Sequence, residues 1–289
     1  MSYTIFTDAC SNLPNRLLKE LDIRVLPCDY TIDGAPDTYE GDMDAFDFHA
    51  YYDKLRAGAE LKTSLLNTHL FLTHFRPELE RGKDIVYVGL SSGVSGTIQS
   101  AKMAAEELLE EFPERTVYVV DSLGASLGVG LLSCRASDLR EEGKTAEEAG
   151  VILDDEVSHL LQFFTVDDLN FLKRTGRVSG ATAMIGSVLN IKPLLWGDET
   201  GHIVAWQKCR GRKKAIEAIA ELYRTRAITP QIRRVAISHG DCPEDAELLA
   251  KRICEIAQPK ELIICPHEPF TGAHVGPGML ALYFFGDQR

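Results

Sequence analysis

The sequence has no apolar run near the ~18 residues that a membrane-crossing helix needs, so stable membrane insertion is not expected. Its opening, MSYTIFTDACSNLP, carries neither a charged leader nor an apolar segment. No signal peptide is therefore expected, and the predicted location is cytoplasmic. The seven cysteines, Cys10, Cys28, Cys134, Cys209, Cys242, Cys254 and Cys265, contain no C-x-x-C pair. A scattered, odd set argues against a disulfide framework or a zinc site, and predicts reduced thiols used as small buried hydrophobes. His49, His69, His74, His159, His202 and His267 have no metal-ligand spacing, so no metal is expected. Positive charge is also short: 31 Lys and Arg face 43 Asp and Glu, a net charge of −12. Phosphate backbones and anionic lipid surfaces repel such a chain, which excludes nucleic acid as an expected partner. There is no internal repeat and no low-complexity stretch.

What remains is an ordinary globular composition, 45% hydrophobic and 26% charged over 289 residues, enough for one or two cored domains. The N-terminal half alternates strand and helix patterns. Tyr3–Thr7, Val25–Ile32, DIVYVGL at Asp84–Leu90 and TVYVV at Thr116–Val120 read as strands. Helical spacing follows at about Pro14–Leu21, at Ile98–Phe112 and at Gly124–Glu142. The near-continuous apolar runs suit strands buried on both faces, so a doubly wound, mostly parallel sheet is predicted for residues 1–158. A polar helix from Gly143 is expected to connect to a second α/β domain, 159–289, with a mixed or antiparallel sheet. Its strand candidates are Phe163–Val166, Ile191–Leu195, His202–Gln207, Arg233–Ser238, Glu261–Cys265 and Met279–Phe285, with helices at Arg212–Arg226 and Pro243–Ala257. Asp198 to Gly201 reads as a hairpin turn.

In open α/β sheets ligands bind beyond the carboxyl ends of strands. Polar clusters fall there at Thr7-Asp8, at Ser91 to Thr97 and at Asp121-Ser122; Thr63-Ser64 lies in a loop between helical patterns. The run Ser91-Ser92-Gly93-Val94-Ser95-Gly96-Thr97 offers close backbone approach, hydroxyls and a helix N-terminus, a setting for an anion. It has no Lys beside the glycines, so it is not a Walker loop; the plain alternative is a capped Ser/Gly turn. GLSSG also fits G-x-S-x-G, which makes a serine hydrolase built on Ser91, Asp121 and His239 or His274 the rival reading. Against it, three further small or β-branched residues intervene before the helical pattern. A binder of a phosphorylated metabolite is a third reading. His274, beside Gly276-Pro277-Gly278, either pins a turn or, protonated, donates two N–H groups to an anion. Lys173 to Arg177, and Lys208 to Lys214 opening a helix, are the basic groups; the latter is either a solvated charge run or a docking surface.

Seven of these blocks, in order across the chain, resemble the DegV family. Thr7-Asp8-Ala9-Cys10-Ser11-Asn12-Leu13-Pro14 is similar to its T-D-S-x-S-D-L-P opening, Thr63-Ser64 to the start of T-S-Q-P-S, and Ser91 to Thr97 to S-S-G-L-S-G-T. Asp121-Ser122, Asp168 to Ser179, Leu189 to Leu194 and Ala273 to Gly278 fit the remaining blocks. The resemblance implies a two-domain lipid carrier, not an enzyme, with one long-chain fatty acid (palmitate, stearate or oleate) between the domains and no other cofactor. It implies that Thr63, Ser95 and His274 hold the carboxylate, with Ser64, Ser92, Gly96, Arg177 and Gly276 nearby. It further implies a fatty acid kinase partner, docking near Lys208, Arg210 and Arg212. Leu65-Leu66-Asn67 departs from Q-P-S, which should alter the geometry around Thr63; Ala9 and Cys10 replace polar residues of the opening.

Overall fold

A computed structural model of the protein describes residues 3–179 and 190–289. The chain forms two compact units: 1–46 with 61–157, and 47–60 with 158–289. In the first, β1 (Thr4–Asp8), β2 (Ile23–Leu26), β6 (Ile85–Gly89) and β7 (Val117–Asp121) form a wholly parallel sheet in the order β2-β1-β6-β7. Every residue of β1 and β6 is buried, as strands covered on both faces must be. Helices α3 (Thr68–Glu80) and α4 (Thr97–Glu111) pack together, as do α5 (Leu127–Glu141) and α6 (Ala146–Val157). Phe71 and Phe75 of α3 meet the Tyr87 ring of β6. The helix expected as a connector is α6, and it instead belongs to this sheet: Gly150 lies against the Tyr118 ring, where a Cβ would come within 2.2 Å. A reciprocal Thr145–Glu148 cap starts it.

The single strand expected over Val25–Ile32 is two strands in two sheets. Pro27, which has no N–H for a ladder, separates β2 from β3 (Cys28–Ile32). β3 joins β4 (Ala35–Tyr39) and β5 (Leu61–Thr63) in a small antiparallel sheet, order β4-β3-β5. Asp33 (φ 51°) and Gly34 (φ 82°) form its two-residue hairpin loop, the left-handed pair that Asp-Gly favours.

The second unit carries a seven-stranded mixed sheet, β13-β12-β14-β8-β10-β11-β9. These strands are β8 (Leu160–Thr165), β9 (Val178–Ser179), β10 (Ile191–Gly197), β11 (Ile203–Arg210), β12 (Arg234–His239), β13 (Glu261–Pro266) and β14 (Leu280–Phe285). β10 and β11 close on the expected hairpin, where the Asp198 carboxylate accepts from Thr200 N and His202 N, each at 2.9 Å. Helices α8 (Arg212–Arg226) and α9 (Pro243–Ile256) cover a core that includes Phe163, Ile219, Leu249, Leu282 and Phe284. Helix α2 (Phe48–Arg56) also belongs to this unit, although residues 1–158 were expected to stay together. Its Tyr51 and Tyr52 hydroxyls donate to the carbonyls of Pro269 and His267 at 2.6 and 2.9 Å. Two further helices pack on each other here, α7 (Asn170–Thr175) and α10 (Pro269–Val275).

Candidate functional site

In the first unit the strand order reverses between β1 and β6, so their carboxyl ends flank the crevice where doubly wound sheets take ligands. The Ser91–Gly96 loop stands at that point and is held from beneath. Ser91 N donates to Gly124 O at 2.8 Å, while Ser91 O accepts from Val94 N and Ser95 N. Asp121 Oδ1 accepts from Ser92 N and Leu123 N, both at 3.1 Å. Ser92 and Gly96 are exposed and Ser95 is half-buried. The Ser95 Oγ lies 3.0 Å from Thr97 Oγ1 and accepts from Thr97 N. Four turns of α4 follow, so their aligned dipoles favour negative charge at this end.

The Thr63 segment meets the same loop. Leu66 N donates to Thr97 Oγ1 at 3.3 Å, and a Cβ on Gly96 would lie 3.3 Å from Leu65 Cδ2. Thr63 is not in a loop as expected: it ends β5, paired with Tyr30, and Ser64 N donates to Asp29 O. Asn67 caps α3, accepting from Leu70 N at 3.0 Å, as the family's serine could.

The hydrolase reading fares poorly in this geometry. Ser91 is 1% exposed and its Oγ accepts from Gly93 N. Its φ is not positive, whereas an elbow nucleophile sits on a strained turn. The Asp121 carboxylate is spent on backbone amides, with no hydrogen bond to a histidine among the described residues. Backbone strain lies instead in the next loop, at Leu123 (φ 47°) and buried Ser126 (φ 53°, ψ −136°). Strain of that kind concentrates at ligand sites, and nothing in the residue types of Leu123 or Ser126 announces it.

In the second unit His274 sits on α10, whose first turn is capped by the buried Glu268 carboxylate accepting from Phe270 N and Thr271 N. Gly276 (φ 75°) ends the helix where a Cβ would strike the Phe171 ring at 2.5 Å. Burial, then the charges of Arg177 and Arg174, push the His274 imidazole down to about 4. Near pH 7 such a ring is neutral and offers one N–H, against the two of the protonated alternative. Arg177 is exposed, its guanidinium donating to Thr175 O at 2.6 Å. His239, also lowered by burial, accepts from Cys242 N.

The expected basic helix start is likewise revised. Lys208 and Arg210 finish β11 and are exposed, and Gly211 (φ 93°) breaks the chain before α8 begins. Arg212 is committed inside the unit, donating to Asp245 at 2.7 Å and facing Asp167 at 3.7 Å. A cavity of about 650 Å³ beside Pro277-Gly278 is walled by Asp167, Asp168 and Asp241 against Arg56 and Arg174. Leu55, Phe171 and Pro277 also line it, so charged and apolar groups share the wall. Leu189, in the block resembling the family's, lies outside the described residues. Among the described residues no helix is long and apolar enough to cross a membrane.

The thread of motifs and the paired α/β units agree with the comparisons. A DegV domain-containing protein of Clostridium perfringens is 36% identical over 289 residues, covering 99% of this chain and 98% of the relative. A solved Thermus thermophilus structure, described as fatty acid binding of a DegV family protein, is 32% identical with TM-score 0.89, covering 99% of this chain and all of that one. A Bacillus subtilis structure, described as DegV, a fatty acid binding protein, is 27% identical with TM-score 0.81 and 98% coverage of both chains. A model described as "Uncharacterised protein, DegV family" matches residues 2–287, and the chain belongs to that family.

Proposed function

We propose that the protein is a cytoplasmic carrier of one long-chain fatty acid, such as palmitate, stearate or oleate. In this reading Thr63, Ser95 and His274 hold the carboxylate, with Arg177 supplying positive charge nearby. The observation that carries it is the Ser91–Thr97 hydroxyl loop at the strand-order reversal, together with the fatty-acid-binding descriptions of the Thermus and Bacillus relatives. Burying about 14 methylenes at ~0.8 kcal/mol each yields roughly 11 kcal/mol gross. Association and ordering remove several kcal/mol of that. The remainder is kept only if the carboxylate's lost hydration is replaced. Neutral hydroxyls, a helix N-terminus and a neutral imidazole do so without burying a strong ion pair. They also leave a carboxylate oxygen open to phosphoryl transfer. The finer part of the reading is that a fatty acid kinase docks near Lys208 and Arg210 and converts the bound acid to an acyl phosphate.

Native mass spectrometry of freshly purified protein should show one fatty acid per chain. Ser95→Ala and His274→Ala should each retain less of it, by about tenfold in affinity for a lost charge-assisted hydrogen bond, with unchanged circular dichroism. A lipid-free wild type would refute the carrier. Kinase, ATP and loaded protein should yield a hydroxylamine-sensitive acyl product, and Arg210→Glu should slow it. A fluorophosphonate probe should leave Ser91 unlabelled.

A further inference from the structure

At the carboxyl end of β1, three ligand-type side chains that are not among the groups given to the fatty acid converge. Asp8 closes β1, Cys10 lies in the single 3-10 turn Ala9–Ser11 that follows, and Cys28 opens β3. Their ligating atoms all lie within 4.8 Å of one another, and all three residues are essentially inaccessible, at 0%, 1% and 0% exposure. The two sulfurs are 3.5 Å apart. Thiolates bound to one tetrahedral zinc at about 2.3 Å each stand about 3.8 Å apart, whereas a disulfide needs about 2.05 Å. The observed spacing is thus a few tenths of an ångström from a metal-bridged pair and well over 1 Å from a bond.

A second observation points to a cation. Asp8 accepts from Cys10 N at 3.0 Å, Tyr87 OH at 2.7 Å and Leu90 N at 3.2 Å, and has no Lys or Arg partner among the described residues. Buried carboxylates are ordinarily paired with a cation or coordinate a metal. These donors, with the Cys10 thiol beside them, fix the carboxylate's direction, as outer-shell partners of metal ligands do, and loss of the thiol proton on metal binding would free one acceptor position. The other cluster of ligand types, His49, Asp53 and Asp241, is more exposed, and Arg56 already occupies Asp241 at 2.5 Å.

We propose that Asp8, Cys10 and Cys28 bind one thiophilic divalent cation of the zinc class. Binding forms two metal–sulfur bonds and one metal–oxygen bond, and the two thiol protons leave to solvent. No electron is transferred. The site ties the end of β1 to the start of β3, so it would brace the sheet end from which Leu90 and the hydroxyl loop depart.

The test uses the full reduced chain carrying Cys242→Ser and Cys254→Ser, which removes the two less-buried thiols. Loaded with zinc and freed of excess, it should hold one equivalent. X-ray absorption at the zinc edge should report two sulfur neighbours beside oxygen, and loading should release close to two protons. Adding Cys10→Ser and Cys28→Ala should abolish retention. If those replacements unfold the chain, the neighbour count in the parent decides alone. Substoichiometric zinc, a shell of only nitrogen and oxygen, or a mapped Cys10–Cys28 disulfide in a chain that takes no zinc would each overturn the proposal.

Discussion

His267 shows how one buried side chain can govern the response of the whole fold to pH. It is 3% exposed, its Nδ1 is 2.9 Å from Ser238 Oγ and its Nε2 is 2.7 Å from Thr271 Oγ1. Thr271 in turn donates to the buried Glu268 carboxylate. Burial pushes the His267 ring down to about 3. The folded protein therefore binds fewer protons than the unfolded chain between about pH 6.5 and 3. Stability from this group is complete above about pH 6.5 and is lost as pH falls toward 3, by up to about 1.4 kcal/mol per pH unit. His274, lowered to about 4, acts with the same sign over the upper part of that window. Urea titrations between pH 7 and 4 should show the decline, and His267→Gln should flatten it. A wild-type midpoint independent of pH would contradict the buried neutral ring. At the same scale, Ala9 and Cys10 read in the sequence as replacements of polar residues in the family's opening, and Cys10 as a small buried hydrophobe. Cys10 gains its meaning only from Cys28, 18 residues away at the start of β3.

Helix α3 is where the departure from the family's T-S-Q-P-S element can be judged. Asn67 lies at the N-cap and Leu66 is 3% exposed, so the replaced positions serve a cap and a core contact. Asn67→Ala should cost about 1 kcal/mol by chemical denaturation, and Asn67→Ser only a few tenths, since both Asn and Ser cap well. Equal losses for the two would show that something other than the cap holds Asn67. The neighbouring hairpin β3–β4 went unread although Asp33-Gly34 is a strong turn signal. β4 is exposed at four of its five positions, so no apolar alternation marked it as a strand. The buried strands β1, β6 and β12, and the partly buried β7, were legible for the opposite reason: apolar runs bounded by polar clusters have few other readings. Hairpin β10–β11 was legible because Asp-Glu-Thr-Gly punctuates two apolar runs.

For the whole molecule, ligand binding and core packing set the expected stability changes. A fatty acid that binds the folded state alone should stabilise it by about 2.7 kcal/mol at a hundred times its Kd. Calorimetry of delipidated protein with added oleate should show Tm rising with concentration; an unmoved Tm would count against the carrier. Phe163 is fully buried, stacks near Trp196 at 6.0 Å and contacts Phe284. Phe163→Ala should cost about 3–5 kcal/mol by the same measurement, through the cavity left behind.

The buried strands, the class of the two larger sheets and the polar loops at strand ends follow from local chemistry, because hydrophobic period and turn residues act over a few residues. The run of seven family blocks was legible for the same reason. The partition of α2 into the second unit, the neutrality of His274, the commitment of Arg212 to Asp245 and the meeting of Asp8, Cys10 and Cys28 were decided by tertiary structure alone. Each depends on burial or on a partner distant in the chain, and neither has a signature in the residues themselves.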